Sequence, residues 1–178
     1  MANGTRWYQK SEMIAAMSAL VVSVVAVVVA VYSAWIDRSF ARASTWPYIE
    51  MFRSYNASSL SFGVANRGTG PAIIRYAVLE HDGRAYSTWA QWLAAEFAVP
   101  ETGFVQSHIS TRVLSPEQHI DVLVLNDSDV AREIAQSDGT VMTVCYCSVF
   151  DECWLTGQQN QPKPVDHCDA PPLIVFEQ

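Results

Sequence analysis

The residues with most chemistry to offer are four cysteines in the last quarter of the chain, Cys145, Cys147, Cys153 and Cys168. They can form disulfides, stay as buried thiols, or act with His167 as soft ligands for Zn²⁺ or Cu(I). Their spacing departs from the Cys-x₂₋₄-Cys pairs of zinc sites, so no metal or cofactor is assigned. Four cysteines allow three disulfide pairings, and spacing does not choose among them. A Cys145–Cys147 bridge is the least favourable, because same-face neighbours on a strand lie near or beyond the ~7 Å reach of a disulfide. His81, His108, His119 and His167 are scattered, and the chain has no His-x-x-x-His pair and no Gly-x-Ser-x-Gly elbow. The expectation is a protein that is not an enzyme.

The element that positions the cysteines is a hairpin. In TVMTVCYCSVFDECWLT, β-branched and aromatic residues dominate and Asp151-Glu152 break the apolar run, so it reads as two strands and a tight turn. A three-residue loop centred on Phe150 sets Cys147 opposite Cys153, with Cys145 on the same face two residues back. Cys168 follows the Pro-rich stretch QPKPVDHC, which can return beside them.

The surrounding runs PYIEMF, SLSFGVAN, AIIRYAVLEHDGRAY, FVQSHIS, HIDVLVLN and PPLIVF are short, apolar and bounded by Gly, Pro, Asn and Ser. They predict an all-β, immunoglobulin-like β-sandwich with one or two short helices. Asp82-Gly83 marks a type I′ hairpin turn, and Leu114-Ser115-Pro116-Glu117 leads into another strand. STWAQWLAAEFA carries a capping-box pattern, Thr88-x-x-Gln91, and sets Trp89, Trp92, Leu93 and Phe97 along one stripe. That stripe reads as a lid on the sandwich or, for Trp89, Trp92 and Phe97, as a partner surface. DSDVAREIAQSDG, capped by Asp or Ser and stopped at Gly139, reads as a helical surface connection.

Ahead of the domain, Met13 to Ile36 runs 24 residues without charge, Gly or Pro, against the ~20 a helix needs to cross a bilayer. Trp7, Tyr8, Tyr32 and Trp35 sit at its ends, where aromatics meet headgroups. Ala41-Arg42-Ala43 resembles a signal cleavage site, but the apolar core of a signal is only ~7–15 residues. The expectation is an uncleaved anchor: a tail over 1–12, a transmembrane helix over 13–36, a linker over 37–45 and the sandwich over 46–178. Inside the span, Ala16, Ala19, Ser23, Ala26, Ala30 and Ser33 recur at steps of three and four. Such a seam of small residues lets another helix approach closely.

From Ala43 onward, seven Lys and Arg face sixteen Asp and Glu, a net charge of −9. That argues against nucleic acid as a partner and equally against a domain lying flat on anionic lipid. Arg6 and Lys10 before the span nearly balance Arg38 and Arg42 after it. A short tail before a single anchor, together with the cysteines, sets the domain on the periplasmic rather than the cytoplasmic side.

Asn66-Arg67-Gly68-Thr69-Gly70-Pro71-Ala72, with Trp46-Pro47-Tyr48 before it, resembles a group of uncharacterised bacterial single-span membrane proteins. In these an immunoglobulin-like sandwich carries an Asn-x-Gly-x-Gly-Pro-Ala turn between its second and third strands. The resemblance implies a bacterial inner-membrane location and no particular reaction. As a phosphate-binding loop the turn would need a following helix and a nearby Lys; strand follows instead, so its glycines read as serving a tight corner. The function expected is that of an accessory or scaffold protein whose span and sandwich bind a larger membrane protein, or whose span pairs with itself. A membrane-tethered metal-binding or thiol-redox domain is the alternative.

Overall fold

The structure, a computed structural model, describes residues 11–137, 139–169 and Phe176. It divides between Ala43 and Ser44 into two compact units. The described residues of the first all lie in one unbroken helix, α1 (Ser11–Ser44), of 34 residues, whose last residue belongs to the second unit. At 1.5 Å per residue it is about 50 Å long, well beyond the ~30 Å of a hydrocarbon core. It is long and apolar enough to cross a membrane. The hydroxyls of Ser18, Ser23 and Ser39 donate to the carbonyls of Ala15, Leu20 and Trp35 within the helix. The segment expected as a linker, 37–45, is instead helical through Ser44. Nothing from Asp37 to Ser44 breaks a helix, and the first breaker is Pro47, which disfavours helix at Trp46.

Among the described residues of the second unit, ten strands form two antiparallel sheets. One has the order β1 (Ile49–Asn56), β2 (Ser59–Asn66), β7 (His119–Leu125), β5 (Phe104–Gln106). The other runs β10 (Lys163–Val165), β9 (Cys153–Thr156), β8 (Thr140–Cys147), β3 (Ala72–His81), β4 (Arg84–Tyr86), with β6 (Val113–Leu114) beside the start of β3. Both contribute to one core: Leu60, Phe62 and Val64 of β2 and Leu123 and Leu125 of β7 share it with Ile74 and Leu79 of β3 and Val144 and Tyr146 of β8. Along β3 the buried positions are Ala72 and Ile74, then Ala77, Leu79 and His81. The alternation changes phase where the pairing to β8 shifts between Ile74 and Tyr76, because one inserted residue swaps the faces of all that follow.

The expected turn at Asp82-Gly83 joins β3 to β4, with φ of 48° and 79°. The helix α2 (Trp89–Phe97) is capped by Thr88, whose side chain accepts from the Gln91 N–H at 3.1 Å. The reciprocal half of the box is displaced by one residue: Gln91 Oε1 accepts from the Ser87 N–H and hydroxyl rather than from Thr88. The helix α3 (Ser128–Gln136) is capped by Asp127. It is more than a surface connection, since Ala131 and Ile134 are buried in the core.

The turn between β2 and β3 is built around Asn66, which is wholly buried. Its amide donates to the carbonyls of Gly70 (2.8 Å) and Leu114 (3.0 Å) and accepts from the N–H of Tyr48 (3.2 Å) and Gly68 (3.0 Å). The backbone N–H groups of Arg67, Thr69 and Gly70 donate to the carbonyls of Tyr48 and Trp46. The turn therefore spends its donors on the first strand's lead-in, not on an anion. A Cβ at Gly68 would run into the Trp46 carbonyl, and one at Gly70 into that of Thr45.

Between its partners β6 and β4, β3 leaves a stretch of edge that other chain fills. Arg112 accepts from the Ile74 N–H at 2.8 Å, and the Phe176 N–H donates to the Ala77 carbonyl at 3.0 Å. The Phe176 carbonyl accepts from the Ser110 hydroxyl at 2.6 Å, and its ring is wholly buried 5.1 Å from that of Trp89. The rest of the expected PPLIVF strand lies outside the described residues.

Candidate functional site

The β8–β9 hairpin closes through a loop at Val149–Asp151. The Ser148 N–H donates to the Glu152 carbonyl at 2.8 Å, and the Ser148 hydroxyl accepts from the N–H groups of Phe150 and Glu152. Asp151 takes the left-handed conformation that tightens the turn, with φ of 59°. This loop sets Cys147 directly across from Cys153, and the two are bridged with Cα atoms 4.0 Å apart. Cys145, two residues back on the same face, is bridged to Cys168, with Cα atoms 5.7 Å apart. Of the three pairings open to the sequence, this one unites the hairpin to itself and the following segment to β8.

The two bridges touch. The Sγ atoms of Cys147 and Cys168 are 3.7 Å apart, and those of Cys147, Cys153 and Cys168 lie within 4.8 Å of one another. Cys145, Cys147 and Cys153 are buried, whereas Cys168 is half-buried. With all four cysteines in S–S bonds, none of them is the thiolate that Zn²⁺ or Cu(I) takes. Tyr76, the cross-strand neighbour of Cys145, has its phenol pKa raised by burial and then by the charge of Asp169. The Arg75–Asp151 ion pair, at 3.8 Å on the surface, adds little.

On α1, the residues Ala16, Ala19, Ser23, Ala26, Ala30 and Ser33 all lie in continuous α-helix and are exposed. Their three-and-four spacing sets them along one face. The Ser23 hydroxyl spends its proton on the Leu20 carbonyl, so it meets a partner as an acceptor.

The third expected site is corrected. Trp89 and Trp92 are wholly buried and Phe97 packs against the core, so they offer no partner surface. They form an aromatic cluster with Phe62, His81 and Phe176. Burying two indoles takes a large apolar surface out of water, which favours the core position. Their indole N–H groups have no conventional acceptor. Neighbouring rings stand nearly edge-on, as in the weak N–H···π contact.

Two features escaped the sequence reading. His81 and Thr140 are cross-strand partners, with Nδ1 and Oγ1 2.9 Å apart, and Asp82 Oδ2 lies 3.7 Å from His81 Nε2. The imidazole is enclosed by Trp92 and Phe97, and the arrangement satisfies a buried ring rather than presenting a nucleophile. The second is a cavity of about 220 Å³ lined by Met51, Arg53, Phe62, Thr140, Met142 and Gln158, where the Gln158 amide donates to the Thr140 carbonyl. It joins residues far apart in the chain, and no local pattern announces it.

Residues 14–163 match the family model described as Domain of unknown function (DUF8453). The matched span includes Cys145, Cys147 and Cys153 and stops short of Cys168. No curated protein and no solved structure matches the chain.

Proposed function

We propose that this chain, which belongs to the DUF8453 family, is a membrane-anchored accessory or scaffold protein that acts by binding rather than by catalysis. In this reading the two-sheet unit is an immunoglobulin-like sandwich on the periplasmic side of a bacterial inner membrane. The span packs against a larger membrane protein or a second copy of itself. The observation that carries it is α1, an unbroken apolar helix of 34 residues with a line of small side chains down one face. Where lipid is as apolar as the side chains, helices associate by close van der Waals packing, which small residues permit. Two disulfides support a compartment that lets them form and persist.

The test is crosslinking and copurification from native membranes. Replacing Ala19, Ser23, Ala26 and Ala30 with Leu is expected to leave the protein in the membrane and lose its partner. Replacing Val22, Val25 and Val29 with Leu is expected to change little. Equal behaviour of the two sets would reduce α1 to an anchor.

A further inference from the structure

We propose that the paired disulfides are a thiol–disulfide exchange site in which Cys168 has two alternative partners, Cys145 in the oxidised protein and Cys147 in its two-electron-reduced form. The idea goes beyond the anchoring role above and does not rest on it. Exchange requires a thiolate in contact with one sulfur of a disulfide. Cys168 Sγ already lies 3.7 Å from Cys147 Sγ, so once its own bridge opens it starts in contact with the neighbouring bridge, and rotation of the freed side chain must bring it into line with the Cys147–Cys153 bond. The contact follows from topology: Cys145 and Cys147 share one face of β8, and the segment after β10 is tied down on that face.

Exposure sets the order of events. Cys145, Cys147 and Cys153 are at most 7% exposed, whereas Cys168 is half-buried, so an incoming reagent meets Cys168 first. The reductant is an external dithiol. Its first thiolate attacks Cys168 Sγ; the mixed disulfide forms as the Cys145–Cys168 bond breaks, and Cys145 leaves as a thiolate that takes a proton. The second thiol of the dithiol attacks the external sulfur of the mixed disulfide, closing the external disulfide and releasing Cys168 as a thiolate. Two electrons have then passed to the protein.

The third step is internal and moves no net electrons. The Cys168 thiolate attacks Cys147 Sγ; Cys147–Cys168 forms, Cys147–Cys153 breaks, and Cys153 leaves. The Asp151 carbonyl oxygen, 3.6 Å from Cys153 Sγ, accepts its S–H once it is protonated. The two protons of the dithiol end on Cys145 and Cys153. The hairpin is uncrosslinked, yet the segment carrying Cys168 stays tethered to β8 in both redox forms.

The test uses the full chain in detergent micelles, purified without reductant. A limiting amount of dithiothreitol is added, thiols are trapped with N-ethylmaleimide at low pH, and the protein is cut with chymotrypsin. Cleavage after Tyr146, Phe150 and Trp154 separates all four cysteines. The two-thiol form is expected to contain a Cys147–Cys168 peptide with Cys145 and Cys153 alkylated; native pairs alone in that form would overturn the proposal. Cys145→Ser and Cys153→Ser approach the same pair from opposite sides, and each is expected to show Cys147–Cys168 without added reductant. A Cys145→Ser protein that keeps its β-type circular dichroism, with Cys147–Cys153 intact and Cys168 fully alkylated, would also overturn it. Should neither variant fold, limited reduction of the unaltered chain decides alone.

Discussion

The side-chain amide of Asn160 pairs with both backbone polar groups of Met51: Oδ1 accepts from the N–H at 2.8 Å and Nδ2 donates to the carbonyl at 2.9 Å. Met51 lies on β1, the outer strand of its sheet, so one side chain stands in for a missing neighbour strand and blunts an open edge. The Tyr48 hydroxyl adds a bond to the Asn160 carbonyl at 2.6 Å. Asn160→Asp keeps the acceptor but turns a second oxygen towards the Met51 carbonyl. It is expected to lower stability by about 1–3 kcal/mol, read from denaturant unfolding; an unchanged midpoint would mean that water serves the edge as well.

Gly70 and Gly83 are required for different reasons, and alanine separates them. At Gly83 a Cβ meets nothing within 4 Å, so the cost is the positive φ alone, about 1 kcal/mol. At Gly70 a Cβ runs into the Thr45 backbone, and the lead-in of β1 must move. Gly70→Ala is expected to melt well below Gly83→Ala, and the reverse order would contradict the close approach.

The alkaline limit of the fold is set partly by buried phenols. Burial pushes Tyr146 up to about 12, with the bond from the Ile49 N–H opposing and Tyr48 adding to it. A free phenol ionises near ~10. The folded pKa is raised, so the stabilisation is complete below pH ~10 and is lost as pH rises towards 12, on the order of 2–3 kcal/mol. Stability measured across that window is expected to fall less steeply in Tyr146→Phe. A residual slope should remain from Tyr76 and Tyr86, which are raised mainly by burial.

The bridges close loops of different length, with sequence separations of 23 for Cys145–Cys168 and 6 for Cys147–Cys153. Chain entropy gives roughly 3.4 kcal/mol for the longer and roughly 2.2 for the shorter. Replacing both cysteines of the longer bridge with Ser is therefore expected to destabilise more than replacing both of the shorter, measured by non-reducing thermal unfolding.

A fragment of residues 44–178 is expected to be soluble and folded, because its core draws only on its own strands and helices. Circular dichroism without a β-type signal would show that α1 is needed to fold it.

The strands were largely legible because their apolar, β-branched and aromatic runs end at Gly, Pro, Asn and Ser. Ser59 to Asn66 and Thr140 to Cys147 read directly, as did the Asp82-Gly83 turn and the caps at Thr88 and Asp127. What stayed open was set by tertiary context. The stripe of Trp89 and Trp92 looks the same whether it faces a partner or the core, and only the space beside Phe62 and Phe176 decides. Neither the pairing of Cys145 with Cys168 nor the four bonds of Asn66 follows from neighbours in sequence, since each joins residues brought together by the sheets.

The socket that Phe176 fills beside Ala77 imposes an order of assembly. Phe176 follows every described strand in the sequence, and until it docks the unit carries an open, greasy slot against Trp89 and an unanswered carbonyl on β3. Until that ring slides home the unit is a substrate for chaperones and proteases. Truncation just ahead of Phe176 would trap it there.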